Sequence, residues 1–173
     1  MKKVVLILAV LLTAFTSTNA QKNSKFVIGT VSYTKTTDVD AAYSFSPTIG
    51  YYVTDRVSVG ILGEVGKAGD AKTTNVGVFG RCDFMNIGKS CQVFSQVDLT
   101  SNSSTISDVK ATSVSANLGL GGNYHINKKW ALTMHLADLI SYESADGNST
   151  TTIGFTGINN PFATAKFGVV YKF

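Results

Sequence analysis

The stretch Lys166-Phe167-Gly168-Val169-Val170-Tyr171-Lys172-Phe173 has the most informative pattern in this chain. Its side chains alternate between the two faces of an extended strand, because successive residues of a β-strand point to opposite sides. One face is entirely apolar and carries Phe167, Val169, Tyr171 and Phe173. The other face carries two lysines, a glycine and a valine: Lys166, Gly168, Val170 and Lys172. The pattern predicts a β-strand with one apolar, aromatic-rich face.

These residues resemble the C-terminal assembly signal of outer-membrane β-barrel proteins. That signal has a polar residue, a glycine two positions later and two aromatic residues at its end. The matching positions here are Lys166, Gly168, Tyr171 and Phe173. The resemblance implies a barrel in the cell outer membrane whose last strand is recognised by the barrel-assembly machinery. It does not indicate an activity.

The N-terminal residues have the pattern of a secretory signal peptide. A basic start at Met1-Lys2-Lys3 precedes a short apolar run, and Thr18-Asn19-Ala20 supplies small residues for cleavage. The apolar run is too short for a transmembrane anchor, since about 20 residues are needed to span a bilayer. We therefore expect residues 1–20 to be a signal peptide and residues 21–173 to form the mature domain.

Composition argues against nucleic-acid binding and against helical membrane spans. Removing Lys2 and Lys3 from the 15 basic residues leaves 13 against 11 acidic residues, a net charge of +2. No run of basic residues offers a phosphate-binding surface. The two prolines, 16 glycines and many Ser, Thr and Val residues suit strands and turns. No nucleic-acid partner, metal or other cofactor is expected.

Period-two alternation divides the mature chain into eight segments of about the length that a tilted membrane strand requires. They are Lys25–Tyr33, Ala42–Val53, Val57–Val65, Thr74–Phe84, Cys91–Leu99, Thr112–Tyr124, Trp130–Ile140 and Phe162–Phe173. Tight turns are expected at 54–56, 86–88 and 127–129, and longer polar loops at 34–41, 66–73, 100–111 and 141–161. Short turns at one end and long loops at the other are typical of outer-membrane barrels.

The predicted fold is all-β, an eight-stranded antiparallel up-and-down transmembrane β-barrel that acts as a monomer. A soluble sandwich or a lipocalin-like barrel would also alternate. Neither would collect aromatic residues at both ends of the strands. We place Phe26, Tyr51, Phe84, Tyr124, Trp130, Tyr171 and Phe173 near the periplasmic turns, and Tyr33, Tyr43, Phe45, Tyr142 and Phe162 near the long loops.

The segment Ser46-Pro47-Thr48-Ile49-Gly50-Tyr51-Tyr52-Val53-Thr54-Asp55-Arg56-Val57-Ser58-Val59-Gly60 resembles a hairpin of small outer-membrane β-barrel domain proteins from Bacteroidetes. These are similar in size to OmpX- and OmpA-type barrels. The fourth strand of that family often reads Arg-Tyr-Tyr-Phe, whereas this chain has Arg81-Cys82-Asp83-Phe84. The resemblance implies a barrel fold, and it implies no single function because the family is defined by its barrel.

Six charged residues fall on the inward face by alternation: Glu64, Arg81, Asp83, Asp98, Lys166 and Lys172. Charges inside a narrow barrel must be paired, so the first interpretation is an internal network that plugs the lumen. The alternative is that Glu64, Arg81, Asp98 and Lys166 line or gate a narrow ion path, as in a porin-like channel.

Cys82 and Cys91 flank the second predicted turn. If the hairpin centres on Asn86 and Ile87, the two cysteines are direct cross-strand neighbours, and a disulfide could form in the oxidising periplasm. The alternative is two free, lipid-facing thiols. Metal binding by two cysteines without neighbouring histidines is not expected.

Enzymatic activity is not expected. Acyl hydrolysis or transfer on outer-membrane lipid would need a Ser-His-acid arrangement near the outer rim. His125 lies at a periplasmic turn, and His135 lies within the seventh strand facing inward, so neither meets this need. Asp138 breaks the outward register of the same strand, which either a bulge near Ala137 or an early exit from the membrane would explain.

The sequence therefore indicates a non-enzymatic outer-membrane barrel with a structural or surface-interaction role and contacts to outer-membrane lipid. A narrow ion channel is the second hypothesis and a lipid-modifying enzyme the weakest. No residue pattern identifies an external ligand.

Overall fold

A computed structural model of the chain describes residues 22–34, 41–106, 109–145, 148–156 and 166–173. The predicted signal peptide lies outside the described residues. The described residues form strands β1 (Lys25–Thr34), β2 (Ala42–Tyr52), β3 (Val57–Ala68), β4 (Ala71–Ile87), β5 (Cys91–Ile106), β6 (Val109–His125), β7 (Trp130–Ala145), β8 (Asn148–Thr156) and β9 (Lys166–Lys172). Within them, no helix is long and apolar enough to cross a bilayer.

Eight of these strands form a closed antiparallel ring. Each strand from β1 to β7 pairs with the next, and β9 closes the ring by pairing with both β1 and β7. The partners of β9 are Phe26–Val31 on one side and Trp130–His135 on the other. Strand β8 pairs with the rest of the same edge of β7, from Asp138 to Ala145. The predicted eight-stranded antiparallel barrel is confirmed, and an additional strand, β8, pairs with the far part of β7.

Three of the predicted long loops are wrong. Strands β4 to β7 contain 16 or 17 residues each and continue far beyond the predicted segments. The ladders extend until Ala68 faces Ala71, Ile106 faces Val109 and Ala145 faces Asn148. The Ser- and Thr-rich stretches are polar, but their β-branched threonines favour an extended backbone. Pairing with the neighbouring strand satisfies the hydrogen bonds of that backbone. The stretch 35–40, the end of the last predicted loop (157–161) and the start of the last predicted segment with Phe162 (162–165) lie outside the described residues.

The barrel has two distinct ends. The terminal end carries Ser24, Phe173 and the turns at 53–56, 88–90 and 126–129, and the far end carries the hairpins that join β3 to β4, β5 to β6 and β7 to β8. The outer surface between the ends is apolar: side chains such as Ile61 (59% exposed) and Val78 (52% exposed) point away from the lumen. Apolar side chains this exposed around a closed sheet are those expected to face lipid.

The aromatic residues at the terminal end divide between two environments. Tyr51, Tyr124, Trp130 and Phe173 are exposed on the outer surface, and the Trp130 and Tyr171 rings lie 4.7 Å apart. The predicted position of Phe26 in this belt is wrong, because its side chain is 1% exposed and lies inside the barrel. Its parity is that of the buried Ile28, so alternation carries it inward.

The core of the molecule is inside the barrel, toward the terminal end. It consists of Phe26, Ile28, Tyr52, Phe79, Ala131 and Val170, with Phe94 also buried. The ring of Phe26 lies 5.2 Å from that of Tyr52 and 6.3 Å from that of Phe79, in tilted arrangements. Such ring pairs add to the free energy gained from burial. The lumen is therefore filled with packed side chains at this level.

Candidate functional site

The candidate site is a cavity in the far half of the lumen. It has a volume of about 590 Å³, within the range of small-molecule pockets. Hydroxyl and amide side chains from six strands line it, among them Thr30, Thr48, Asn75, Gln96, Asn102 and Ser115. They also bond one another: Thr100 Oγ1 and Ser115 Oγ are 2.7 Å apart, and Asn102 Nδ2 donates to Ser115 Oγ at 2.9 Å. The cavity can hold water or a small polar solute.

A layer of aromatic rings around Arg81 forms the bottom of the cavity. Arg81 is 6% exposed, and its Nε donates to Gln96 Oε1 at 2.7 Å. Its guanidinium carbon lies 4.0 Å from the centre of the Phe94 ring, and 5.7 Å and 6.0 Å from those of Phe79 and Phe26. A guanidinium over aromatic faces is held by cation–π attraction while its edge remains free to donate hydrogen bonds. We call Phe26, Phe79, Arg81 and Phe94 the aromatic layer.

Each phenylalanine of this layer lies directly opposite a glycine on the neighbouring strand. Phe26 faces Gly50, Phe79 faces Gly60, and Phe94 faces Gly121. A Cβ added to Gly50 or Gly121 would lie 2.2 Å from the Cζ atom of the opposing ring. The glycines therefore provide the space in which the rings lie flat against the inner wall.

A buried polar group lies on the terminal side of the layer. Tyr52 Oη donates to Asp83 Oδ2 at 3.0 Å, and both residues are nearly inaccessible to solvent. Lys172 Nζ lies 5.4 Å from the centre of the Tyr52 ring. Within the described chain, Asp83 Oδ1 and Ser58 Oγ are buried without a hydrogen-bond partner. The Tyr52 hydroxyl is thus an important partner of the Asp83 carboxyl.

On the far side of the layer, charged residues from different strands meet across the cavity. Lys166 Nζ donates to Glu64 Oε2 at 2.9 Å, and Ser46 Oγ donates to the same oxygen at 3.0 Å. Lys166 lies on β9 and Glu64 on β3, which are not neighbouring strands, so this ion pair spans the lumen. Gln96 Nε2 donates to Asp98 Oδ1 at 2.8 Å, which joins Asp98 to Arg81 through one amide.

The six predicted inward charges thus separate into two groups. Glu64, Arg81, Asp98 and Lys166 line the cavity. Asp83 and Lys172 lie below the aromatic layer, beside Tyr52. Of the residues in the predicted assembly signal, Lys166 and Gly168 face inward, whereas Tyr171 and Phe173 are part of the outer aromatic cluster.

The structure decides between the two explanations for Asp138. The pairing of β7 with β6 is irregular at two points, between Leu118 and Gly119 and between Leu120 and Gly121. The bulge between His135 and Ala137 turns Asp138 to the inward face, where its Oδ1 lies 2.8 Å from His135 Nε2, and the bulge that follows restores the original parity at Ile140. The bulge explanation is therefore right, and β7 does not leave the barrel early.

The predicted cross-strand pairing of Cys82 with Cys91 is wrong. The turn lies at 88–90, where Gly88 has a φ of +66°, and a bulge at Asp83 and Met85 shifts the register. Cys82 consequently faces Ser95, and Cys91 faces Ile87. Four residues of strand separate Cys91 from Ser95, about 13 Å, which is too far for a disulfide. Both cysteines are free.

Neither histidine takes part in a Ser-His-acid arrangement in the described chain. His125 Nε2 lies 3.1 Å from Gln92 Oε1, and His135 pairs with Asp138 inside the lumen. Among the described residues, no three His, Cys, Asp or Glu side chains are placed to hold a metal ion. Of the charges that line the cavity, Lys166 pairs with Glu64, and both Arg81 and Asp98 bond to Gln96.

Sequence reasoning missed the aromatic layer. The signal was present, because Phe79 and Phe94 share the inward parity of Arg81 and Gln96. Tyr52 likewise has the parity of Gly50. The glycines opposite the rings could have indicated the packing, but only once the strand register was known.

Comparison with known proteins agrees with the fold. No family model and no curated protein sequence matches the chain. Among solved structures, the N-terminal β-barrel domain of Pseudomonas aeruginosa OprF is similar, with a TM-score of 0.56, 18% identity and coverage of 88% of this chain and 98% of that one. Neisserial surface protein A has a TM-score of 0.54 and 14% identity, over 87% of this chain and 96% of that one.

At these identities the likeness is one of fold. The closed ring, the apolar outer surface and the solved structures together define the class: a small eight-stranded β-barrel of the kind found in the cell outer membrane.

Proposed function

We propose that this chain is a non-enzymatic integral protein of the outer membrane, with a structural or surface-contact role and a lumen that is plugged against ions. The observation that carries the proposal is the aromatic layer. Three phenylalanine rings and the buried Arg81 occupy the lumen where an ion path would have to pass. The cavity ends at Arg81 and Phe94, and Phe26, Tyr52 and Phe79 pack beneath them.

The physical reason is the cost of moving an ion past this layer. A cation in the cavity would be repelled by the positive charge of Arg81. An anion would be attracted to Arg81, but it would then have to pass through the packed phenylalanine rings. Either ion would lose its hydration in a space that is already close-packed. The interior of an eight-stranded barrel is just wide enough for side chains. It therefore leaves no space for an ion to pass beside the aromatic layer.

Single-channel recording tests the proposal. We expect the refolded protein to insert into a planar bilayer without discrete current steps. The double variant Arg81→Ala/Phe94→Ala should show salt-dependent steps, because it removes the two side chains that close the cavity. Thr48→Ala, which changes only the cavity wall, is the matched control and should remain silent. Heat-modifiable gel mobility shows that each protein has folded.

Discrete steps from the unmodified protein would contradict the plug and favour the channel. In that case the charges that line the cavity would carry the current, and Lys166→Gln would change its ion selectivity. A silent bilayer with the double variant, despite correct folding, would also contradict the assignment of Arg81 and Phe94 as the closure.

The surface-contact role is supported by the length of the far-end hairpins. A membrane-spanning strand needs about 9 to 11 residues, and β4 to β7 contain 16 or 17. Their ends therefore extend beyond the lipid as a Ser- and Thr-rich sheet. In intact cells, a Ser149→Cys variant lacking Cys82 and Cys91 should react with a membrane-impermeant maleimide. If the cysteine introduced at position 149 reacted only after the cells were lysed, the far end of the barrel would face the periplasm, and the proposed orientation would be wrong.

A further inference from the structure

A row of outward-facing residues crosses the outer face of the barrel near its far end. Consecutive cross-strand partners from β1 to β6 form this row: Tyr33, Tyr43, Lys67, Lys72, Thr105 and Lys110. The three lysines are exposed, and the two tyrosines are 67% and 56% exposed. We call Lys67, Lys72 and Lys110 the lysine row.

The outward direction of the row follows from its neighbours on each strand. Val65, two residues before Lys67, is 55% exposed on the lipid-facing surface. Val76, four residues after Lys72 and of the same parity, is 60% exposed. Thr73, between Lys72 and Thr74, lines the lumen cavity instead. The lysines thus continue the apolar outer face rather than the polar lumen.

The height of Lys67 matches the edge of the membrane. Tyr51 and Tyr43 are both exposed on the outer face of β2, eight residues apart. At about 3.4 Å per residue and a tilt of about 40°, they are separated by about 21 Å along the membrane normal. This is close to the height of the apolar band of an outer-membrane barrel, about 25 Å. Lys67, the partner of Tyr43, therefore lies at headgroup level.

The arrangement of Lys67 and Lys72 is unfavourable without an anion. They are direct cross-strand partners, so their Cβ atoms are about 5 Å apart, and like charges in such positions repel. Asp70 occupies the turn between them, but no ion pair joins it to either lysine in the described chain. An anionic group between the two ammonium groups would convert the repulsion into two charge-assisted hydrogen bonds.

We propose that Lys67 and Lys72 of the lysine row bind the phosphate groups of lipid headgroups in the leaflet at the far end of the barrel. The long apolar stems lie along the lipid-facing surface and the ammonium groups reach the headgroup layer. Tyr33 and Tyr43 border the row, as aromatic residues do at membrane interfaces. The inference rests on membrane insertion, but it does not depend on whether the lumen is plugged.

The test compares lipids that differ in phosphate. The protein is inserted into nanodiscs of phosphatidylcholine with either diphosphorylated or dephosphorylated lipid A, and the midpoint of heat-modifiable mobility is measured. We expect a higher midpoint with the diphosphorylated lipid. In Lys67→Gln/Lys72→Gln, retention of that lipid measured by native mass spectrometry should fall about tenfold or more. Lys128→Gln/Lys129→Gln removes equal charge at the terminal end and should retain the lipid.

Several results would overturn the proposal. Equal lipid retention by the unmodified protein and by the Lys67/Lys72 variant would remove the row as a site. If both double variants lost the diphosphorylated lipid equally, the lipid would be attracted to basic residues in general and not to Lys67 and Lys72. The same rise of the midpoint with free inorganic phosphate would assign the row to soluble anions. Because heat-modifiable mobility reports insertion in every sample, failure of the barrel to insert is distinguished from failure to bind lipid.

Discussion

At the scale of single residues, the packing of the lumen depends on pairs in which a phenylalanine lies opposite a glycine. Gly50 lies against the Phe26 ring, whereas a Cβ at Gly80 would meet no atom within 4 Å. The same residue type thus has two roles, one inside the barrel and one on its outer face. Only the inner glycine is required by packing.

Substitution of these two glycines should have opposite effects. Gly50→Ala should lower the free energy of unfolding by about 1–3 kcal/mol, because the added methyl group overlaps Phe26. Gly80→Ala should leave it unchanged or raise it by about 0.5–1 kcal/mol, since the strand loses a flexible residue. Urea unfolding of the refolded protein measures both. Similar losses at the two positions would mean that the Phe26 ring moves aside freely.

Two adjacent tyrosines provide a second comparison. Tyr52→Phe leaves the buried Asp83 without its hydroxyl partner, and we expect a loss of about 1–3 kcal/mol in the free energy of unfolding. Tyr51→Phe removes a bond to Asn23 that is exposed to solvent, so the change should be within about 0.5 kcal/mol. The same urea titration applies. A larger effect at Tyr51 would be inconsistent with the burial of the Tyr52–Asp83 pair.

At the scale of strands, alternation predicted where most strands begin or end at the terminal end of the barrel, but it placed the far ends of β4 to β7 too early and assigned β8 to a loop. The polar stretch 100–111 has few apolar residues and was interpreted as a loop. The backbone groups of residues 100–106 and 109–111 are nevertheless paired, because β5 and β6 continue side by side as far as Ile106 and Val109. Polar side chains therefore indicate that a segment is exposed to water. Whether the segment forms a strand depends on the hydrogen bonds of its backbone.

The β4–β5 hairpin gives a test of register. Both native cysteines should react with a thiol reagent after unfolding in the absence of reductant, because the register keeps them apart. In a Cys91→Ser background, Ser95→Cys places a thiol directly opposite Cys82, and oxidation should consume both thiols. A disulfide in the unmodified protein, detected by mass spectrometry, would contradict this register.

At the scale of the whole molecule, the barrel is closed by β9 and braced across its lumen. Lys166 begins β9 and bonds to Glu64 on a strand that β9 does not touch. The ion pair links two sides of the ring that backbone hydrogen bonds do not join. The ion pair contributes only modestly to the free energy of unfolding, because its side chains are partly exposed to solvent, Lys166 by 43% and Glu64 by 20%.

A double-mutant cycle measures this connection. Lys166→Met and Glu64→Gln, alone and combined, should give a coupling of about 1 kcal/mol in the free energy of unfolding. The coupling should decrease at high salt, because screening weakens a partly exposed pair. As a control, Glu143→Gln combined with Lys166→Met should be additive. A coupling near zero would show that Lys166 does not brace the ring.

The sequence alone indicated the class of fold and the face on which most strand residues lie. These properties depend on the period-two alternation of side chains, which is local in the chain and visible in stretches such as 166–173. The inward charges Glu64, Arg81, Asp98 and Lys166 followed from the same parity. The assignment of Asp138 did not, because a bulge changes parity without a local mark in the sequence.

The contacts between residues of different strands became known from the tertiary structure. The register between strands placed Phe94 against Gly121, separated Cys82 from Cys91 and set Lys67 beside Lys72. Register depends on turn geometry and bulges, and a shift of one residue exchanges every partner along a strand. The contacts across the lumen depend in addition on closure of the ring. Neither is a property of any single segment of the chain.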